Sequence, residues 1–140
     1  MSSKPFVLES QIRLPYRYAV GRWYGAFLIG LTEGRLVGSR CGECGKTAVP
    51  ARGACPICSA ASAELVEVGP LAIVVSAARD NRDGGRAWLL VRPDGADTTL
   101  LAYGEAEIGS RVVAEFDASS GPTIAALKGF LPAKGAGVRR

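Results

Sequence analysis

Four cysteines carry the chemistry legible in this 140-residue chain, and no histidine accompanies them. They read Cys41-Gly-Glu-Cys44 and, ten residues further on, Cys55-Pro-Ile-Cys58. Each Cys-x2-Cys pair can turn two thiolates towards one point, and two such turns facing each other make the tetrahedral four-sulfur site that zinc prefers. Gly42 and Gly45 supply the backbone freedom that tight turns around a metal need, and Pro56 stiffens the second turn. Iron on the same ligands, and redox or disulfide use, are the alternatives. Two disulfides do not suit a chain read as cytosolic, and a redox pair leaves the second Cys-x2-Cys unexplained. A site closed by four protein thiolates has no position open to water or substrate, so the expected zinc is one structural ion that stabilises folding.

The missing histidine excludes Ser/His and Cys/His nucleophile pairs and an imidazole base. With the thiols committed, catalysis would fall to lysine, tyrosine or carboxylates. Asp80 with Asp83, and Glu105 with Glu107, are near enough in sequence to form a dyad, although loop carboxylates are usually solvated. The formal charge of +4 admits a phosphorylated ligand or nucleic acid. Four thiolates and one dication change it by −4 and +2, leaving about +2. The positive excess is local: residues 1–60 hold eight basic and three acidic groups, residues 61–140 nine and ten. No signal-like leader and no apolar run near the ~18 residues needed to span a bilayer is present, so a cytoplasmic protein without membrane contact is expected.

Elements must position these groups. Residues 1–15 are mixed, without a clear period, and read as an arm ordered only by what it touches. Val20, Trp23, Tyr24, Phe27, Leu28 and Leu31 then fall on one helical face, so a helix ending near Gly34 is expected despite Gly21, Gly25 and Gly30. Six of the ten aromatics precede residue 30, and such clusters are enriched at interfaces. The stripe either covers this chain's own core or docks a second protein, with Trp23, Tyr24 and Phe27 as the contacts. After residue 60, β-branched runs at 65–68, 71–76, 87–91, 98–103, 112–116 and 123–127 read as strands separated by Gly/Pro/Asp turns. Five or six strands in so short a stretch predict a small closed barrel.

The ribbon GRLVGSRCGECGKTAVPARGACPIC, its preceding helix and the later VEVGPLAIVVS, IGSRVVAEF and GFLPA resemble the acyl-CoA-associated zinc-ribbon/OB-fold family, a domain of unknown function. The resemblance covers about residues 16–133 and puts the family's ligands on Cys41, Cys44, Cys55 and Cys58. It implies a mainly β protein with an N-terminal helix: arm and helix over 1–36, a rubredoxin-like zinc ribbon over 37–64, an OB-fold barrel over 65–133 and a flexible basic tail over 134–140. It also implies a non-catalytic subunit of a hetero-oligomer that binds a thiolase-type acyl-CoA enzyme and assists complex formation or CoA-ester binding. The basic groups near the metal, Arg35, Arg40, Lys46 and Arg52, suit the phosphates of CoA. Solvated side chains or partner salt bridges are the plainer reading of the same residues. A nucleic-acid-binding module is the alternative function, since zinc ribbons and OB barrels both recur there.

Overall fold

The computed structural model describes residues 3–82 and 84–133; the expected tail over 134–140 lies outside them. Among the described residues, one α-helix, α1 (Arg22–Thr32), precedes eight strands: β1 (Leu36–Cys41), β2 (Thr47–Ala48), β3 (Ser62–Val68), β4 (Leu71–Asp80), β5 (Arg86–Pro93), β6 (Leu100–Tyr103), β7 (Arg111–Phe116) and β8 (Leu127–Pro132). No helix among the described residues is long and apolar enough to cross a membrane.

Gly21, at φ 84°, caps the start of α1, so only Gly25 and Gly30 sit in its interior. The end is a Schellman turn: Gly34 is left-handed, its N–H donates to Leu31 O, and the Arg35 N–H donates to Gly30 O at 2.8 Å. Phe27, Leu28 and Leu31 are buried, and Trp23 and Tyr24 pack half-buried at the edge of the same cluster. Gly30 is required by packing rather than by conformation. A Cβ there would sit 2.6 Å from Val37 Cγ2 and 3.2 Å from Arg35 O, so only glycine lets the helix lie this close to β1.

The strands form two antiparallel sheets, ordered β2-β1-β3 and β6-β5-β4-β7-β8. β3 pairs along the length of β1, from Leu36 opposite Val68 to Cys41 opposite Ser62. The run Leu65–Val68 therefore lies in the same sheet as β1 and β2. The expected strand over 123–127 is also displaced. Residues 124–126 form a 3-10 turn, and the chain pairs with β7 only from Leu127 onward. Ala126 is buried within the turn itself, so its apolarity reflects burial without ladder pairing.

The edge strands of the larger sheet curl towards each other. A Cβ on Gly104 would lie 2.6 Å from Phe130 O, and one on Gly129 would lie 2.6 Å from Tyr103 O. Glycine at both positions lets the two backbones touch. One apolar core runs through helix, ribbon and sheet, joining Phe27, Leu31 and Leu36 to Val91, Val112 and Phe130. The loop after β5 adds a polar clasp. Asp97 Oδ2 accepts from the Thr47 N–H at 2.9 Å, the Asp97 N–H donates to Thr47 O at 2.8 Å, and Thr98 Oγ1 accepts from the Val49 N–H at 2.9 Å.

Candidate metal centre and its surroundings

Each cysteine pair sits in a turn built the same way. The amide of the leading cysteine donates to the carbonyl five residues on: Cys41 to Lys46 O at 2.9 Å, and Cys55 to Ala60 O at 2.8 Å. The residue after the second cysteine is left-handed in both turns, Gly45 at φ 72° and Ser59 at φ 69°. Ser59 is the one non-glycine with positive φ among the described residues, so the turn geometry is kept even where the side chain resists it. The ladder between β1 and β3 shifts register between Arg40 and Cys41, where the first turn begins.

These turns bring the four sulfurs within 4.8 Å of one another. Cys41 Sγ lies 3.4 Å from Cys58 Sγ, and Cys44 Sγ lies 3.6 Å from Cys55 Sγ, so each contact crosses between the turns. Zinc–sulfur bonds of about 2.3 Å imply tetrahedral S···S edges of about 3.8 Å, close to what is found. The leading cysteines are buried, while Cys44 and Cys58 face the surface.

Amide dipoles prepare the leading sulfurs for ionisation. The N–H groups of Cys44 and Glu43 point at Cys41 Sγ and draw its pKa down to about 6. Those of Cys58 and Ile57 lower Cys55 in the same way. At Cys44 the Lys46 amide pulls downward too, but burial and the neighbouring sulfurs outweigh it and push the thiol up to about 12. Four thiolates this close repel one another unless a cation lies between them. Soft donors, tetrahedral spacing and amide-stabilised sulfurs together fit a four-thiolate zinc site, which would supply structural cross-linking and no open coordination position.

The basic residues around the ribbon are mostly occupied. Arg35 pairs with Glu33 at 2.5 Å, Arg40 with Glu64 at 2.7 Å, and Lys46 approaches Asp97 at 3.9 Å. Only the Arg52 side chain, of these four, makes no ion pair among the described residues. Its backbone N–H donates to Ser39 Oγ at 2.9 Å. Trp23 covers Gly53 in the loop between the two cysteine turns, where a Cβ would lie 3.1 Å from its ring. Phe27 is corrected from a contact residue to a core residue: it is fully buried and has no surface to offer a partner. Glu105 is held by Arg79, Asp80 accepts from the Arg82 amide at 2.9 Å, and Asp83 lies outside the described residues.

The fold and the four-sulfur site define a zinc-ribbon protein with an antiparallel β-sheet domain appended to it. Residues 30–64 match the ChsH2 rubredoxin-like zinc ribbon domain. A Sulfolobus solfataricus protein of unknown function from the DUF35 family is 28% identical, with a TM-score of 0.56 over 64% of this chain and 74% of that one. An Ltp2–ChsH2(DUF35) aldolase shares the fold, with a TM-score of 0.60, 23% identity, and coverage of 83% of this chain and 98% of that one. No curated protein matches the sequence. These likenesses identify residues 30–64 as a ChsH2-type rubredoxin-like zinc ribbon and show that the chain is similar in fold to DUF35 proteins.

Proposed function

We propose that the chain is a non-catalytic subunit that binds a thiolase-type acyl-CoA enzyme and assists complex formation or binding of the CoA ester. The observation that carries this reading is the commitment of all four thiols to one closed site in a chain without histidine. No uncommitted cysteine nucleophile and no imidazole base remain for acyl transfer, which assigns that chemistry to a partner. The likeness to a ChsH2 component of an Ltp2–ChsH2 aldolase supports a role beside a catalytic subunit.

Two structural assignments accompany the proposal. The strand order β6-β5-β4-β7-β8, with β6 and β8 in backbone contact, is read as an OB-type barrel. Trp23 and Tyr24 are assigned to the partner interface, and Arg52 is assigned to CoA phosphate, with Arg35, Arg40 and Lys46 able to exchange their exposed ion pairs for it. The nucleic-acid alternative gains no support from the sheet's aromatics. Trp88 and Tyr103 pack together in a tilted arrangement with ring centroids 4.0 Å apart and Arg86 covers the Tyr103 ring, while Phe116 packs against the core.

The test is co-expression with a thiolase-type subunit. The expected result is a stable hetero-oligomer that turns over acyl-CoA, with no turnover by this chain alone. A catalytic subunit that is stable and fully active without this chain would overturn the proposal.

A further inference from the structure

The arm before the helix has a pattern that residues 1–15 alone conceal. Followed as far as Val20, its even positions are Phe6, Leu8, Ser10, Ile12, Leu14, Tyr16, Tyr18 and Val20, apolar except for one small serine. The odd positions between them are Val7, Glu9, Gln11, Arg13, Pro15, Arg17 and Ala19, polar at four of seven and continuously so from Glu9 to Arg13. Alternation of this kind gives an extended segment one apolar and one polar edge. Among the described residues, no helix, strand, hydrogen bond or ion pair ties residues 3–20 to the rest of the chain. The six large even-numbered side chains from Phe6 to Tyr18 are exposed, from 72% at Tyr18 to 95% at Phe6. A row of this size left in water marks a binding segment.

We propose that this arm lies extended in an apolar groove of the catalytic partner subunit, its even-numbered side chains seated in the groove and Arg13 and Arg17 meeting carboxylates on the rim. This rests on the reading of the chain as a partner subunit. Charge selects the partner over a second copy of this chain. The arm carries Lys4, Arg13 and Arg17 against Glu9 alone. A second copy is itself net positive, and six of its carboxylates, Glu33, Glu64, Asp94, Asp97, Glu105 and Glu115, already face its own cations. Extended, residues 3–20 reach about 60 Å, far enough to cross a subunit face. Pro5 and Pro15 have no N–H to donate, so side-chain pockets rather than an unbroken β-ladder must hold the segment.

The test uses the full chain, free and in complex with a co-expressed thiolase-type subunit, with trypsin as the probe. Arg13 precedes Leu14 and Arg17 precedes Tyr18, so both bonds can be cut. Cleavage there is expected to slow by at least about tenfold in the complex. Replacing Phe6, Leu8, Ile12 and Leu14 together by Ser should weaken association by about 100-fold or more and restore cleavage. Replacing Val7, Glu9 and Gln11 by Ser should change association by less than about fivefold. Zinc content and melting temperature should be unchanged in both variants, since these side chains are exposed in the free chain. A complex that forms while Arg13 and Arg17 are cut as fast as before overturns the arm proposal and leaves the subunit reading standing. Failure to form any complex overturns both. Concentration-dependent protection of the arm in the free chain assigns it to a second copy and also overturns the proposal.

Discussion

Replacing Asp97 by Ala tests whether the loop after β5 locks the zinc ribbon to the larger sheet. The substitution leaves the N–H of Thr47 without its acceptor, and Thr47 is only 3% exposed, so water cannot easily take the carboxylate's place. A hydrogen bond to a charged group is worth about 1.5–3 kcal/mol. The Asp97 side chain is 42% exposed, which argues for the lower half of that range, and the 3.9 Å contact to Lys46 adds little. A loss of about 2 kcal/mol is expected, or a fall of roughly 6 °C in melting temperature for a chain of this size. Asp97→Asn keeps an oxygen that can accept from Thr47 and should cost under about 1 kcal/mol. Because the clasp joins ribbon to sheet, Asp97→Ala should also speed zinc removal by a chelator. Thermal melting of the zinc-loaded protein and chelator-release kinetics measure both effects. The reasoning is refuted if Asp97→Ala melts within about 1 °C of the wild type, or if Asn is as damaging as Ala.

Cys55→Ser should abolish stoichiometric zinc binding, and because the ribbon shares its core with the sheet, the melting transition of the whole chain should drop; metal analysis and calorimetry check both. Ser59→Gly relieves the left-handed strain in the second cysteine turn and should stabilise the zinc-loaded protein by about 0.5–1 kcal/mol, read by denaturant titration. Gly30→Ala should destabilise by about 1–3 kcal/mol, because the clash with Val37 outweighs the helix propensity gained; a more stable variant would show that β1 can yield.

Local spacing by itself makes the metal site legible. Two Cys-x2-Cys turns ten residues apart specify their ligands whatever surrounds them, because each turn is built from its own backbone hydrogen bonds. The helix is legible for a related reason: its period places Phe27, Leu28 and Leu31 on one face within a single segment. Tertiary structure decided how that face is divided, with Phe27 in the core and Trp23 and Tyr24 at its edge. It also decided that β3 joins β1, drawing Leu65–Val68 into the same sheet as β1 and β2, and that Arg35, Arg40 and Lys46 have acidic neighbours. Strand pairing and the 24-residue separation of Arg40 from Glu64 are non-local, and no periodicity within a segment encodes which distant segment will meet it. The four ligands are therefore a property of short stretches of chain. The single core and clasp that bind ribbon to sheet exist only once those stretches have packed.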